Sequence, residues 1–101
     1  MMRGKIGVTQ QAILDLLKRN GGYATWYEIT NLKPRAYARR AYGWPREQVD
    51  GLRARGLVRY SGKDGAVLTE GERGLVAKAR AEHPKAGDFV ILAEEATDAD
   101  L

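Results

Sequence analysis

Between residues 33 and 59 the chain carries eight cations, Lys33, Arg35, Arg39, Arg40, Arg46, Arg53, Arg55 and Arg59, against two acids, Glu47 and Asp50. A guanidinium is a planar fork of N–H donors, suited to paired acceptors lying in one plane, such as a carboxylate, a phosphate or the edge of a base. Arg46 and Arg53 are seven residues apart, which places them on one side of a helix two turns apart. Gln48 adds an amide that donates and accepts side by side. Lys63 follows a few residues beyond, next to Tyr60 and a run of turn-forming residues. This is chemistry for holding a polar partner, not for making or breaking bonds.

No constellation for catalysis can be assembled from the remaining residues. There are no cysteines, so thiolate nucleophiles, disulfides and thiolate zinc sites are excluded. The single histidine, His83, reads as a solvated residue at a helix end before Pro84. Gly62-Lys63-Asp64-Gly65 lacks the spacing of a phosphate-binding loop and is better read as a turn. The paired carboxylates Glu70/Glu72 and Glu94/Glu95 fall at a helix start and in a tail, where water keeps them ionised. A protein that is not an enzyme, with no cofactor and no metal, is the expectation.

Charge is unevenly distributed. Residues 1–81 hold 16 Lys/Arg against 7 Asp/Glu, a net +9, whereas residues 82–101 hold one Lys and six acids, a net −5. A basic body with an acidic tail points to a polyanionic partner. The 101 residues suit one domain, and no apolar run approaches the roughly 20 residues needed to span a bilayer, so no membrane association is expected. Met1-Met2-Arg3-Gly4-Lys5 lacks the apolar stretch of a secretory signal, and a cytoplasmic location is expected.

The elements that must position these cations follow from periodicity and punctuation. Residues 1–8 read as a loose basic arm. Ala12, Ile13, Leu16 and Leu17 form the stripe of an amphipathic helix beginning at a Thr9 cap and ended by Asn20-Gly21-Gly22. Thr25-Trp26-Tyr27-Glu28 is a capping box that opens a short helix, burying Trp26 or Tyr27 with Ile29 and Leu32. Pro34–Tyr42 is an arginine-rich segment, and Pro45 opens a helix to Arg55 with Val49 and Leu52 inward and Gly56 as a left-handed cap. Leu57–Tyr60 and Ala66–Leu68 read as two strands joined by the turn Ser61–Gly65, a small β-hairpin. Thr69-Glu70-Gly71-Glu72 is a second capping box, opening a helix to about His83 with Leu75, Val76 and Ala79 inward. Residues 84–92 are an extension in which Phe89–Leu92 is either a strand or a docking segment, and 93–101 is an acidic tail expected to be disordered.

The stretch Leu52-Arg53-Ala54-Arg55-Gly56-Leu57-Val58-Arg59-Tyr60, the hairpin, and Leu68-Thr69-Glu70-Gly71 resemble the "Leu-x-x-x-Gly-Leu-Val, wing, Leu-Thr-x-x-Gly" pattern of MarR-like and related winged-helix transcriptional regulators. Gly43-Trp44-Pro45-Arg46-Glu47-Gln48-Val49 resembles the entry to their recognition helix, and the resemblance spans about Thr9 to His83. It implies a mainly α fold with a small β-hairpin (α+β), a single winged helix-turn-helix domain over residues 9–83 with a three- to four-helix core plus a wing. It also implies a sequence-specific double-stranded DNA-binding regulator, such as a bacterial or phage repressor. The spacing from Ile29 to Leu52 is longer than in such regulators, so the recognition helix is either Pro45–Arg55, which leads directly into the wing, or Pro34–Tyr42. The expected DNA contacts are Arg35, Arg39, Arg40, Arg46, Gln48, Arg53, Arg59 and Lys63, with Arg46 suited to guanine and Gln48 to adenine. So small a module is expected to read two half-sites as a homodimer. The alternative is a winged-helix protein-interaction module without DNA binding, whose protein partner engages the acidic C-terminal tail.

Overall fold

The computed structural model describes residues 7–32 and 44–96. Helix α1 (Val8–Arg19) buries Ile13, Leu14, Leu16 and Leu17, close to the stripe expected from spacing. Its N-cap is Gly7, with no side-chain cap, so Thr9 lies within the first turn and not at the boundary. At the other end Gly21 adopts φ +86°, and the N–H groups of Gly21 and Gly22 donate to the carbonyls of Lys18 and Leu17. That left-handed cap satisfies carbonyls the helix leaves open and turns the chain into strand β1 (Tyr23–Thr25). Gly22 is doubly constrained: φ is +115°, and a Cβ there would lie 3.1 Å from the Leu75 methyls.

Thr25 ends β1 and caps helix α2 (Trp26–Thr30) through the expected reciprocal bonds with Glu28. Helix α3 (Trp44–Ala54) buries Trp44, Pro45, Val49 and Leu52. It ends as the sequence predicts, with Gly56 at φ +78°. The N–H of Gly56 donates to Arg53 and that of Leu57 to Leu52, while Leu52 and Leu57 are both buried in the same cluster. The Leu52…Gly56-Leu57 pattern is thus a helix stop with its accompanying apolar contact.

Strand β2 (Val58–Tyr60) follows, and here the structure departs from the predicted hairpin. Ala66–Leu68 is not a strand. Gly65–Val67 forms a single 3-10 turn with Ala66 and Val67 exposed, and only Leu68 is buried. Helix α4 (Glu70–Glu82) comes next, capped by Thr69 and Glu72 as expected, and the partner of β2 is strand β3 (Phe89–Leu92). The sheet is antiparallel in the order β1-β3-β2, with Tyr23 opposite Ile91 and Tyr60 opposite Val90. The segment read from sequence as an extension therefore supplies the central strand.

Burial explains why β3 takes the place beside β2. Val90 lies in a cluster with Ala24, Val58, Tyr60 and the α1 and α3 side chains. Phe89 and Ile91 lie in a second cluster with Tyr23, Leu68 and Ala79, backed by Leu75 and Val76 of α4. The sheet is covered on both faces, so its central strand is apolar at every position, where Ala66–Leu68 has two small or medium side chains to offer. Complete burial of a side chain such as Phe89 or Ile91 is worth about 1.5–3 kcal/mol each. The first residues of the acidic tail are held as well. Ala93 donates to the Leu57 carbonyl, and the Glu94 N–H donates to Glu72, a carboxylate 1% exposed that also accepts the Thr69 N–H. Residues 97–101 lie outside the described residues. No described helix is long and apolar enough to cross a membrane.

The four helices and three antiparallel strands among the described residues make an α+β fold whose closure depends on residues 89–92. A chain truncated after His83 is expected to lose cooperative thermal unfolding and amide dispersion in NMR spectra, whereas one truncated after Ala96 retains both.

Candidate nucleic-acid interface

Helix α3 presents two flanks beside its buried stripe. On the α1 flank, Gly51 permits a close approach: a Cβ there would lie 2.6 Å from the Gln10 amide nitrogen, which donates to the Gln48 carbonyl at 3.4 Å. Gln48 sits half-buried on this side. On the opposite flank Arg46, Asp50 and Arg53 recur at helical spacing and face the aromatic pair Trp26 and Tyr60.

That pair organises the flank. The Trp26 and Tyr60 rings meet edge to face, with centroids 5.6 Å apart and planes at 65°. The Arg46 guanidinium lies over the Trp26 ring at 5.1 Å, and that of Arg53 over the Tyr60 ring at 5.3 Å. The Tyr60 hydroxyl donates to Asp50. Burial, reinforced by the bond to Asp50, pushes the Tyr60 phenol up from its ordinary value. Cation, ring, ring and cation thus form one continuous stack linking α2, α3 and β2.

The two arginines end differently. Arg53 gives its fork to Asp64, with Nε 2.9 Å from Oδ2 and Nη2 2.5 Å from Oδ1. Asp64 Oδ2 also accepts the Tyr60 N–H at 2.8 Å. These donors, the Arg53 fork foremost, hold the Asp64 carboxyl at about 2, below its ordinary 3.8. The same bond raises the Arg53 guanidinium further. Arg46 is exposed, and among the described residues it has no carboxylate partner.

The remaining expected site residues scatter. Strand alternation turns Arg59 to the sheet face opposite Val58 and Tyr60, away from α3, where it pairs with Glu95. Lys63 is exposed in the turn after β2, near the clamp that Asp64 makes. Arg35, Arg39 and Arg40, with the alternative recognition segment Pro34–Tyr42, lie outside the described residues. Sequence reasoning missed Trp26, Asp50 and Asp64 as members of the site, and placed Tyr60 beside Lys63 without its contacts to Trp26 and Asp50. Trp26 had a signal, since it follows the Thr25 cap directly and starts the helix facing α3; Asp64, eleven residues from Arg53, had none.

The Arg53–Asp64 contact fastens the turn after β2 to α3, and its loss is measurable. Asp64→Ala leaves the buried Tyr60 N–H without an acceptor and is expected to cost about 1–3 kcal/mol in denaturant unfolding. Because the carboxyl is depressed on folding, its contribution is present above the ordinary value of 3.8 and disappears as pH falls through about 2. Wild type is expected to lose stability across that window by an increment that Asp64→Asn lacks; parallel pH profiles for the two proteins would contradict it.

Compared with protein-family models, with curated proteins and with solved structures, the chain gives no match.

Proposed function

We propose that this chain is a sequence-specific double-stranded DNA-binding protein of winged-helix type, a small regulator that presents α3 to the major groove. The observation that carries the reading is Arg46: a cation in the first turns of α3, exposed, stacked on Trp26 and without a carboxylate partner among the described residues. Major-groove helices read base edges from their N-terminal turns. The net +9 of residues 1–81 supplies the field that draws in a phosphate backbone. The succession α1, β1, α2, α3, β2 and the central position of β3 support the winged-helix reading, with α4 inserted where a simple wing would be a hairpin. Under this proposal Lys63, at the tip of the turn after β2, contacts phosphate, and a homodimer aligns two half-sites. Arg53 acts in holding the turn, not in contacting DNA.

A second reading rests on a different surface. Tyr27 is 75% exposed and borders a mainly apolar cleft of about 580 Å3 with Thr25, Glu28, His83, Pro84, Lys85 and Ala86. An exposed aromatic beside such a cleft suits a protein-interaction module.

Duplex binding measured by fluorescence anisotropy at two salt concentrations separates the two. Wild type is expected to bind random duplex and to weaken about tenfold or more as salt rises several-fold, through counterion release. Arg46→Ala/Lys63→Ala is expected to bind at least about tenfold more weakly at low salt, with an unchanged melting temperature. Absence of wild-type binding at low salt would overturn the DNA reading.

A further inference from the structure

We infer that Trp26 is a positioning residue that holds the Arg46 fork for bidentate recognition of a guanine edge; the inference rests on the DNA-binding reading above. It starts from the contrast between two arginines two turns apart on one helix. Arg53 and Arg46 both lie over an aromatic ring, at 5.3 and 5.1 Å. Arg53 gives its Nε and Nη2 donors to Asp64, which fixes that side chain as part of the fold. Arg46 has no carboxylate partner among the described residues and is held by its place over the Trp26 ring. Stacking uses the π surface of the guanidinium and leaves the N–H groups, which lie in its plane, directed outward.

An arginine free in solution loses rotamer freedom when it is pinned to a ligand. A ring that already holds the guanidinium face removes part of that loss before binding. The ring itself is well anchored: Trp26 sits directly after the Thr25 cap, edge-on to Tyr60, whose hydroxyl is tied to Asp50 and whose N–H is tied to Asp64. Two acids beside the stack are thereby engaged, Asp50 by Tyr60 and Asp64 by Arg53, while Glu47, next to Arg46 in the chain, is exposed. What remains exposed is the planar guanidinium of Arg46, and face-to-ring stacking on Trp26 would aim two of its donors outward. Its match is a pair of acceptors in one plane, and from the first turns of a major-groove helix that pair is guanine O6 and N7. A backbone phosphate offers the same acceptor chemistry but carries no base preference.

The test is selection of duplexes from a randomised pool by the full chain, followed by affinity measurements on the selected site with single base replacements. Wild type is expected to enrich a guanine at a fixed position, and 7-deazaguanine there, which lacks the N7 acceptor, is expected to lower affinity about tenfold. Inosine, which keeps O6 and N7, is expected to bind like guanine. Arg46→Lys, which keeps the charge but loses the planar fork, is expected to bind the selected site more weakly than wild type and to discriminate guanine less. Trp26→Leu is expected to lose most of it, and Trp26→Phe to restore much of it, with both variants folded by thermal melt. If Trp26→Leu melts below the assay temperature, Trp26→Met, which keeps much of the bulk without a π face, takes its place, and discrimination undiminished in folded Trp26→Met would overturn the role of Trp26. Binding without any guanine preference would make Arg46 a phosphate contact and overturn the inference while leaving the DNA reading standing. Discrimination undiminished in folded Trp26→Leu would overturn the role of Trp26. No duplex binding at low salt would overturn both.

Discussion

The structure depends on the insertion of Phe89–Leu92 between β1 and β2. Neither flanking strand exceeds three residues, and they do not pair with each other, so without β3 there is no sheet. Its partners lie far away along the chain: Tyr23 pairs with Ile91 and Val58 with Leu92. Closing loops of that length costs chain entropy before any pairing returns it, although the cost grows only slowly with length. Burial on both faces offsets it. Phe89, Val90 and Ile91 are each wholly buried, two against α4 and one against the α1–α3 side. The strand reaches both apolar clusters through its alternating side chains, as β1 does with Tyr23 and Ala24, but it alone pairs with both other strands of the described sheet, and this is why four residues can organise the described chain.

What was legible in the sequence was local. Both capping boxes form as read, since Thr25 with Glu28 and Thr69 with Glu72 are three residues apart and their bonds need nothing beyond one helical turn. The boundaries of α3 and the left-handed Gly56 were readable for the same reason. Strand pairing was not. Ser61–Gly65 carries a turn signal that favours a hairpin with Ala66–Leu68, but the pairing was decided by a competition between that segment and one twenty residues beyond, on the grounds of burial. Locally the signal was sound: the chain does turn there, with Asp64 accepting from Tyr60 and Arg53, but it coils into a 3-10 turn and does not reverse along β2.

The same distinction governs the charges. Counting cations along the sequence treats each as available, yet availability is settled by acids that are distant in the chain. Arg53 is taken by Asp64 and Arg59 by Glu95, 36 residues away. The acidic segment is likewise not all free to meet a partner. The Glu94 carboxylate accepts from the Thr69 hydroxyl and rests against Gly71 at the start of α4, where the helix dipole favours an anion. Part of the −5 of residues 82–101 is therefore internal to the fold, and the +9/−5 division overstates the contrast that a partner meets.

These constraints narrow where a partner surface can be. Both sheet faces are covered, and the sheet edges are strands of three residues, with Arg59 on the outer one, which suits neither strand addition nor extended docking. Under the proposed function, recognition by the described residues would fall to helix surfaces and the loops between them. Among the described residues α3 has the best-defined outward group, because its two acids differ in their use. Asp50 is drawn to Tyr60, whereas Glu47 stays exposed beside Arg46. A neighbouring carboxylate weakens non-specific attraction to phosphate more than it weakens a short, planar contact to a base edge. Under the proposed function, a surface that sets one arginine next to one acid would serve selectivity more than adhesion, and the bulk of the electrostatic attraction would come from cations elsewhere on the basic body.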